Sequence, residues 1–215
     1  MCVWVIVPVK PLKLAKSRLA QVLTPDERQQ IAGTMFRHVL DVVTQVPQVV
    51  GTLVISRDNK ALSIAREYGA NTVQESGAPE LNVALERATQ VLTSWRCDSL
   101  LILPADLPLI CPDDVVNILE MGYEDPSIVI ATDRRQDGTN ALFMRPPGLI
   151  PYSFGPGSYQ RHLALAEIAG VRAREYASPR MTLDIDYPED IERYNRLVGI
   201  RNLQSLEMFM PQAGD

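Results

Sequence analysis

Only two histidines, His38 and His162, and three cysteines, Cys2, Cys97 and Cys111, occur in the 215 residues. A His-rich metal centre is excluded, and three widely spaced cysteines form neither a disulfide framework nor a zinc site. They read as reduced thiols in a cytoplasmic protein, with Cys97 and Cys111 as small buried residues. No apolar run reaches the length of a membrane span. The N-terminal run, Val3 to Val9, is short, lacks a basic lead and is followed at once by charge. No signal peptide is therefore expected. A basic excess is missing too: the formal charge is −5, which argues against general nucleic-acid binding. A Walker A loop and a G-x-G-x-x-G turn are both absent after the first apolar run, so P-loop and dinucleotide-binding readings fail.

What is present begins with the stretch VWVIVPVKPLKLAKSRL, residues 3–19. A continuous β-branched run predicts a buried parallel strand. Behind it Lys10, Lys13, Lys16 and Arg18, with Ser17 among them, collect four of the chain's 21 Lys and Arg. A strand delivering several cations at its carboxyl end suits a polyphosphate, with lysines as point charges and Arg18 able to fork onto two oxygens. A solvated surface loop is the plain alternative.

Further along, Thr24-Pro25-Asp26-Glu27 predicts a capped helix start, and apolar residues follow at helical spacing. Strands are predicted at Val49 to Ile55, Thr72-Val73, Ser99 to Leu103, Ser127 to Ala131, Ala141 to Met144, Val171 to Tyr176 and Thr182 to Asp186. Helices are predicted after Ser56-Arg57-Asp58-Asn59, from Glu80 with Leu81 to Trp95 on one packed face, from Pro112, from Ser158 and from Pro188. Glu75 to Pro79 reads as a loop. The alternation predicts one doubly wound α/β domain over residues 1–198 and a peripheral tail over 199–215. Ligands of such sheets lie beyond the carboxyl ends of the strands.

Asp106, held in Pro-Ala-Asp-Leu-Pro behind a buried strand, suits a magnesium ligand alongside phosphate oxygens. Its partner would be Asp184 or Asp186; a turn or helix cap is the ordinary role for each. Ser158 reads as the cap of a helix whose first turn carries Arg161 and His162. Positive charge is unfavourable there, and a bound anion would offset it. Asn82, near a helix start, carries an amide that can read a purine edge.

In order, PVKPLKLAKSRL, LTPDER, SRDN, LNVAL, LPADLPLI, DGTNALFM, FGPGSYQRH and DIDYPEDIERY span almost the whole chain. The set resembles the phosphoenolpyruvate/2-phospho-L-lactate guanylyltransferases, MobA-like nucleotidyltransferases of coenzyme F-420 biosynthesis. The resemblance implies a Rossmann-like, GT-A-type three-layer fold with a mostly parallel mixed sheet, and Mg²⁺ as cofactor. It implies that Lys10, Lys13, Lys16, Ser17 and Arg18 hold GTP phosphates, with Lys16, Arg18 and Asp106 catalytic. Ser56, Asp58 and Asn82 would approach the nucleoside. Asp106 and Asp186 would bind the metal, and Thr139, Gly155 and Ser158 the acceptor acid. Tyr187 departs from the threonine commoner before that proline. The acceptor is phosphoenolpyruvate, 2-phospho-L-lactate or 3-phosphoglycerate, in that order of preference, and a homodimer is compatible with the reading. A glycosyltransferase and a non-catalytic nucleotide sensor are the competing classes.

Overall fold

Val3–Val9 (β1) is flanked by a parallel strand on each side, Val49–Ser56 (β2) and Ser99–Ile102 (β4). That position explains its unbroken apolar run, since both of its faces are covered. In this computed structural model, which describes residues 2–76 and 80–200, seven strands of the described residues form one sheet in the order β3-β2-β1-β4-β6-β5-β7. The remaining strands are Asn71–Gln74 (β3), Ser127–Thr132 (β5), Thr139–Arg145 (β6) and Arg174–Glu175 (β7). β6 runs antiparallel to both β4 and β5; the other pairings are parallel.

Helices Pro25–Thr44 (α1), Asn59–Glu67 (α2) and Pro112–Met121 (α4) cover one face, where Phe36, Leu62 and Ile118 meet Val5 and Val7. Leu81–Ser94 (α3) and Ser158–Ile168 (α5) cover the other, where Leu85, Leu92 and Tyr159 meet Ile6 and Ile102. Pro188–Ile200 (α6) packs Tyr194 with Ile31 and Met35 of α1 in a third cluster. This is the expected three-layer, Rossmann-like arrangement. Among the described residues no helix is long and apolar enough to cross a membrane.

The capping box that starts α1 forms as expected. Glu27 N–H donates to Thr24 Oγ1 at 3.3 Å and Thr24 N–H donates to Glu27 Oε2 at 2.7 Å. Two of the first four amides of the helix would otherwise lack partners.

Several expectations change. Val171 to Tyr176 shortens to the two-residue β7, an edge strand beside β5. Thr182 to Asp186 forms no strand. It is tied down by isolated bonds instead, Asn140 Nδ2 to the Met181 carbonyl at 2.8 Å and Arg134 N–H to the Thr182 carbonyl at 3.1 Å. α5 is preceded by Gly157 at φ 72°, so glycine, free of the Cβ clash, turns the chain and Ser158 is the first helical residue. On α3 the packed face is Ala84, Leu85, Ala88 and Leu92, while Leu81 and Trp95 at the two ends are partly exposed. Cys97 is buried as expected, but Cys111 is half-buried, just before α4. α6 continues to Ile200; the rest of the tail expected from 199, and residues 77–79 of the Glu75 to Pro79 loop, lie outside the described residues.

The connectivity creates the crevice. The chain moves outward from β1 to β2 to β3, then returns through α3 to place β4 on the opposite side of β1. The loops after β1 and β4 therefore diverge and leave a gap at their carboxyl ends.

Candidate active site

The loop after β1 is anchored by two buried leucines, Leu12 and Leu19, each within a single 3₁₀ turn, Leu12–Leu14 and Ser17–Leu19. Between the turns Lys16 adopts φ 55°, ψ 37°, a left-handed conformation uncommon for a residue with a Cβ. This reversal sends Lys16 inward, its side chain only 5% exposed, while Lys13, Ser17 and Arg18 face solvent. Asp58 braces the same loop from β2: its Oδ2 accepts the Leu12 N–H at 2.8 Å and its Oδ1 caps α2 through Lys60 N–H at 2.9 Å. Ser56 is fully buried and its hydroxyl oxygen accepts the Asp58 N–H at 3.0 Å. The Ser56–Asp58 turn thus supports the basic loop.

Lys16 Nζ stands between two carboxylates, 2.6 Å from Asp106 Oδ2 and 3.1 Å from Asp186 Oδ1. Arg18 Nη1 lies 2.7 Å from Asp186 Oδ2 on the rim. Burial alone would lower the Lys16 pKa, but the charges of Asp106 and Asp186 outweigh it and the ammonium is held above its ordinary value. Burial likewise opposes ionisation of Asp186, yet Lys16 and then Arg18 pull its carboxyl below the usual range. Asp184 differs. Burial, then the charges of Asp106 and Asp186, push it up to about 6. Of the two partners the sequence left open for Asp106, Asp186 is the one that shares its cation. The Tyr187 ring stacks against both Arg18 and Arg135, with the guanidinium carbons 5.0 and 4.4 Å from the ring centre.

These groups form one end of a cleft of about 420 Å³. Lys10, Lys16, Asp106 and Asp186 line that end; Val9, Leu12, Ile55 and Ala84 are among its apolar walls; Arg57, Glu75, Leu81 and Phe154 also line it. Asn82 fixes the Phe154 side. Its Oδ1 accepts the Phe154 N–H at 2.7 Å and its Nδ2 donates to the Phe154 carbonyl at 3.2 Å. Donor and acceptor of the amide are both engaged by backbone.

Thr139, Gly155 and Ser158 do not line this cleft. Thr139 and Ser158 join the fully buried His162 behind Phe154, whose ring meets the imidazole edge-on at 4.9 Å. His162 Nε2 accepts the Ser153 N–H at 3.0 Å, which assigns the ring proton to Nδ1, donating to Thr139 Oγ1 at 2.9 Å. Ser158 Oγ donates to the same Thr139 oxygen at 3.2 Å. Gly155 sits in the adjacent turn at φ 125°. Burial, with Arg161 adding to it, lowers the His162 pKa to about 4, so the ring is neutral.

That corrects the anion expected at the start of α5. Arg161 is wrapped onto its own loop, with Nε on Ser153 Oγ and Nη2 on the Ser153 carbonyl, each at 2.7 Å. Asp137 already occupies the helix start: its Oδ1 accepts the Gly157 N–H and its carbonyl the Tyr159 N–H, both at 3.0 Å. No local pattern marks Asp137 for this role, because it belongs to the loop between β5 and β6. The pair of buried Asp114 and half-buried Arg180 has no local signature for the same reason. Arg180 Nε and Nη2 reach the two Asp114 oxygens at 2.6 and 2.9 Å, and the Tyr176 and Ser178 hydroxyls donate at 2.8 Å. It ties the segment leading to Asp186 onto α4.

Among the described residues no group of three or more His, Cys, Asp or Glu is arranged to hold a metal ion. Asp106 and Asp186, however, converge on a single cation, and two carboxylates are what a hard divalent ion takes when phosphate oxygens and water complete its shell. The donor set fits a divalent metal held jointly with a nucleotide.

Relatives identify the family of the chain, and solved structures its fold. Residues 1–194 match the family model described as guanylyl transferase, CofC like. A phosphoenolpyruvate guanylyltransferase of Rubrobacter xylanophilus is 43% identical over 94% of this chain and 97% of its own length. A 2-phospho-L-lactate guanylyltransferase of Methanothermobacter thermautotrophicus is 32% identical over 86% of this chain and 81% of its own. In fold, a nucleotidyl transferase from Methanothermobacter superposes with a TM-score of 0.67 at 14% identity, over 91% of this chain and 97% of that one. A 4-diphosphocytidyl-2C-methyl-D-erythritol synthase from Anaerococcus prevotii gives 0.63 at 12% identity, over 92% and 96%. The family match spans the basic loop, Asp106 and Asp186 together, and the chain belongs to the CofC-like guanylyl transferase family.

Proposed function

We propose that the protein transfers GMP from GTP to the phosphate of a small phosphorylated carboxylic acid, phosphoenolpyruvate before 2-phospho-L-lactate, and releases pyrophosphate, as a step of coenzyme F-420 biosynthesis in the cytosol. The observation that carries this reading is Lys16 shared between Asp106 and Asp186 at the mouth of the sheet crevice. The acceptor phosphate is already an anion, so the reaction needs no general base. What it needs is two anions held in line, which makes positioning and charge neutralisation the main catalytic contributions.

In this reading Lys10 and Lys16 hold the triphosphate from inside the cleft and Arg18 covers it from the rim. Lys13 and Ser17, on the outer side of the loop, meet the outermost phosphate. Asp106 and Asp186 would hold a magnesium ion, which would supply charge neutralisation of the triphosphate and Lewis acidity at the reacting phosphate. Asn82 closes the cleft through Phe154, while Ser56 and Asp58 keep the basic loop in place beside the nucleoside. Thr139, Gly155 and Ser158 shape the wall behind Phe154 on the acceptor side.

A pyrophosphate-release matrix tests the reading, with four nucleoside triphosphates against phosphoenolpyruvate, 2-phospho-L-lactate and 3-phosphoglycerate in Mg²⁺. GTP with phosphoenolpyruvate should give the highest rate, and Asp106→Ala should abolish it. Release without any acceptor, or full activity in Asp106→Ala, would overturn it.

A further inference from the structure

The cleft has a charged end that the phosphates do not use. Glu75 directly follows β3 and is anchored to β2, its N–H donating to the Ser56 carbonyl at 3.0 Å. Its side chain is 14% exposed, and Arg57 Nε lies 3.4 Å from Oε1. Both residues line the same cleft as Lys16 and Asp106. The sheet order sets their separation. From β4, which delivers Asp106, to β3, which delivers Glu75, are three strand spacings, or roughly 14 Å. That is about the reach of an extended nucleotide from its phosphates to the far edge of its base. The walls between, Leu12, Ile55 and Ala84, are apolar and suit the faces of an aromatic ring.

We propose that the Glu75 carboxylate, steadied by Arg57, recognises the guanine edge of the nucleotide and is the residue that selects GTP. This rests on the GMP-transfer reading for the direction in which the nucleotide lies. Guanine presents two adjacent donors, N1–H and the 2-amino group, and a carboxylate is a two-oxygen acceptor of matching geometry. Each oxygen carries more than one acceptor position, so the ion pair with Arg57 leaves hydrogen-bonding capacity for the base. Adenine presents an acceptor, N1, where guanine has a donor, and a carboxylate repels it. Inosine keeps N1–H but lacks the amino group and forfeits one of the two bonds. A site built to hydrogen-bond a group rejects an analogue lacking it far more strongly than an apolar pocket can.

The test compares wild type with Glu75→Gln and Glu75→Ala, using GTP, ITP and ATP. Binding is read by calorimetry in Mg²⁺ without acceptor, and transfer by pyrophosphate release. Wild type should bind GTP about 10-fold tighter than ITP and at least about 100-fold tighter than ATP. Glu75→Ala should bring GTP and ITP within about 2-fold of each other. Glu75→Gln, whose amide can turn to donate to N1 and accept from the 6-amino group, should narrow the GTP-to-ATP ratio by about 10-fold or more. Melting temperatures establish that both variants fold; Glu75→Gln carries the test if the alanine variant does not. Unchanged ratios in the folded variants, or a wild type that binds all three alike, overturn the inference. Glu75-dependent GTP binding with no transfer to any acceptor instead overturns the transfer reading and leaves the inference standing.

Discussion

Replacing Lys16 by Met should make the free enzyme bind a divalent metal more tightly while it loses GMP transfer. The Lys16 ammonium occupies the point that a metal ligated by Asp106 and Asp186 would take, 2.6 and 3.1 Å from their oxygens. At an effective dielectric constant of about 20 the two gross attractions are roughly 6 and 5 kcal/mol. Both carboxylates are about one-third exposed, and the ammonium gives up its water. The net worth is therefore far smaller, on the order of 1–3 kcal/mol. A metal entering without nucleotide must displace that ammonium, so its affinity is reduced by about 10- to 100-fold. With GTP present, the triphosphate offers Lys16 an alternative anion and the penalty disappears. Met keeps the apolar stem of the side chain without the charge. Titrating free enzyme with Mn²⁺ and following the unbound ion by electron paramagnetic resonance should give a 10- to 100-fold lower Kd for Lys16→Met than for wild type. GMP transfer by the same variant should fall by at least about 100-fold. Mn²⁺ binding by the folded variant that is equal to or weaker than wild type would refute the reasoning.

Two further outcomes concern stability. Arg180→Met leaves the fully buried Asp114 with neutral donors only and should cost about 3 kcal/mol, lowering Tm by about 6–12 °C in calorimetry. In wild type Arg180 and the other donors outweigh the burial of Asp114 and lower its pKa; that stability is present above the unfolded carboxylate value and is lost as pH falls through the folded one. His162, held down to about 4 by burial, behaves in the same direction over a higher window. Its neutral-ring contribution is complete above the unfolded value of about 6.5 and is lost as pH falls towards 4, on the order of 3 kcal/mol in all. His162→Phe should be less stable at pH 7.5, having lost its bonds to Thr139 and Ser153, yet its Tm should change less than that of wild type between pH 7.5 and 5.

Local features were legible wherever one segment supplies all the partners. The capping box of Thr24 and Glu27, the unbroken apolar run of β1 and the cap of α2 by Asp58 each lie within a few consecutive residues. Where a segment borrows partners from afar, the pattern misled. Val171 to Tyr176 has strand-like composition, but only Arg174 and Glu175 pair in register with β5, and Tyr176 adds one N–H bond to the Ile130 carbonyl. Arg161 and His162 looked like an anion site because the sequence does not reveal that burial neutralises His162 or that Asp137 reaches the start of α5. Asn82 looked free to read a base, and its amide is engaged by the Phe154 peptide, 72 residues away.

The sequence by itself determined that a buried strand ends in a glycine-free basic loop, that Asp106 follows another buried strand, and that helices alternate with strands around them. These are consequences of short-range composition and periodicity. Tertiary structure alone decided that Lys16, and not Lys13, is the inward cation, because a left-handed turn between two leucine-anchored 3₁₀ turns sets its direction. It also decided which carboxylate joins Asp106. Asp184 and Asp186 are the same residue type two positions apart, but only Asp186 meets Lys16 and Arg18; Asp184 is half-buried beside the other two carboxylates and its pKa rises to about 6. Lys16 and Asp186 are 170 residues apart, and their meeting depends on the segment after β7, which Asn140 and the Asp114–Arg180 pair hold in place.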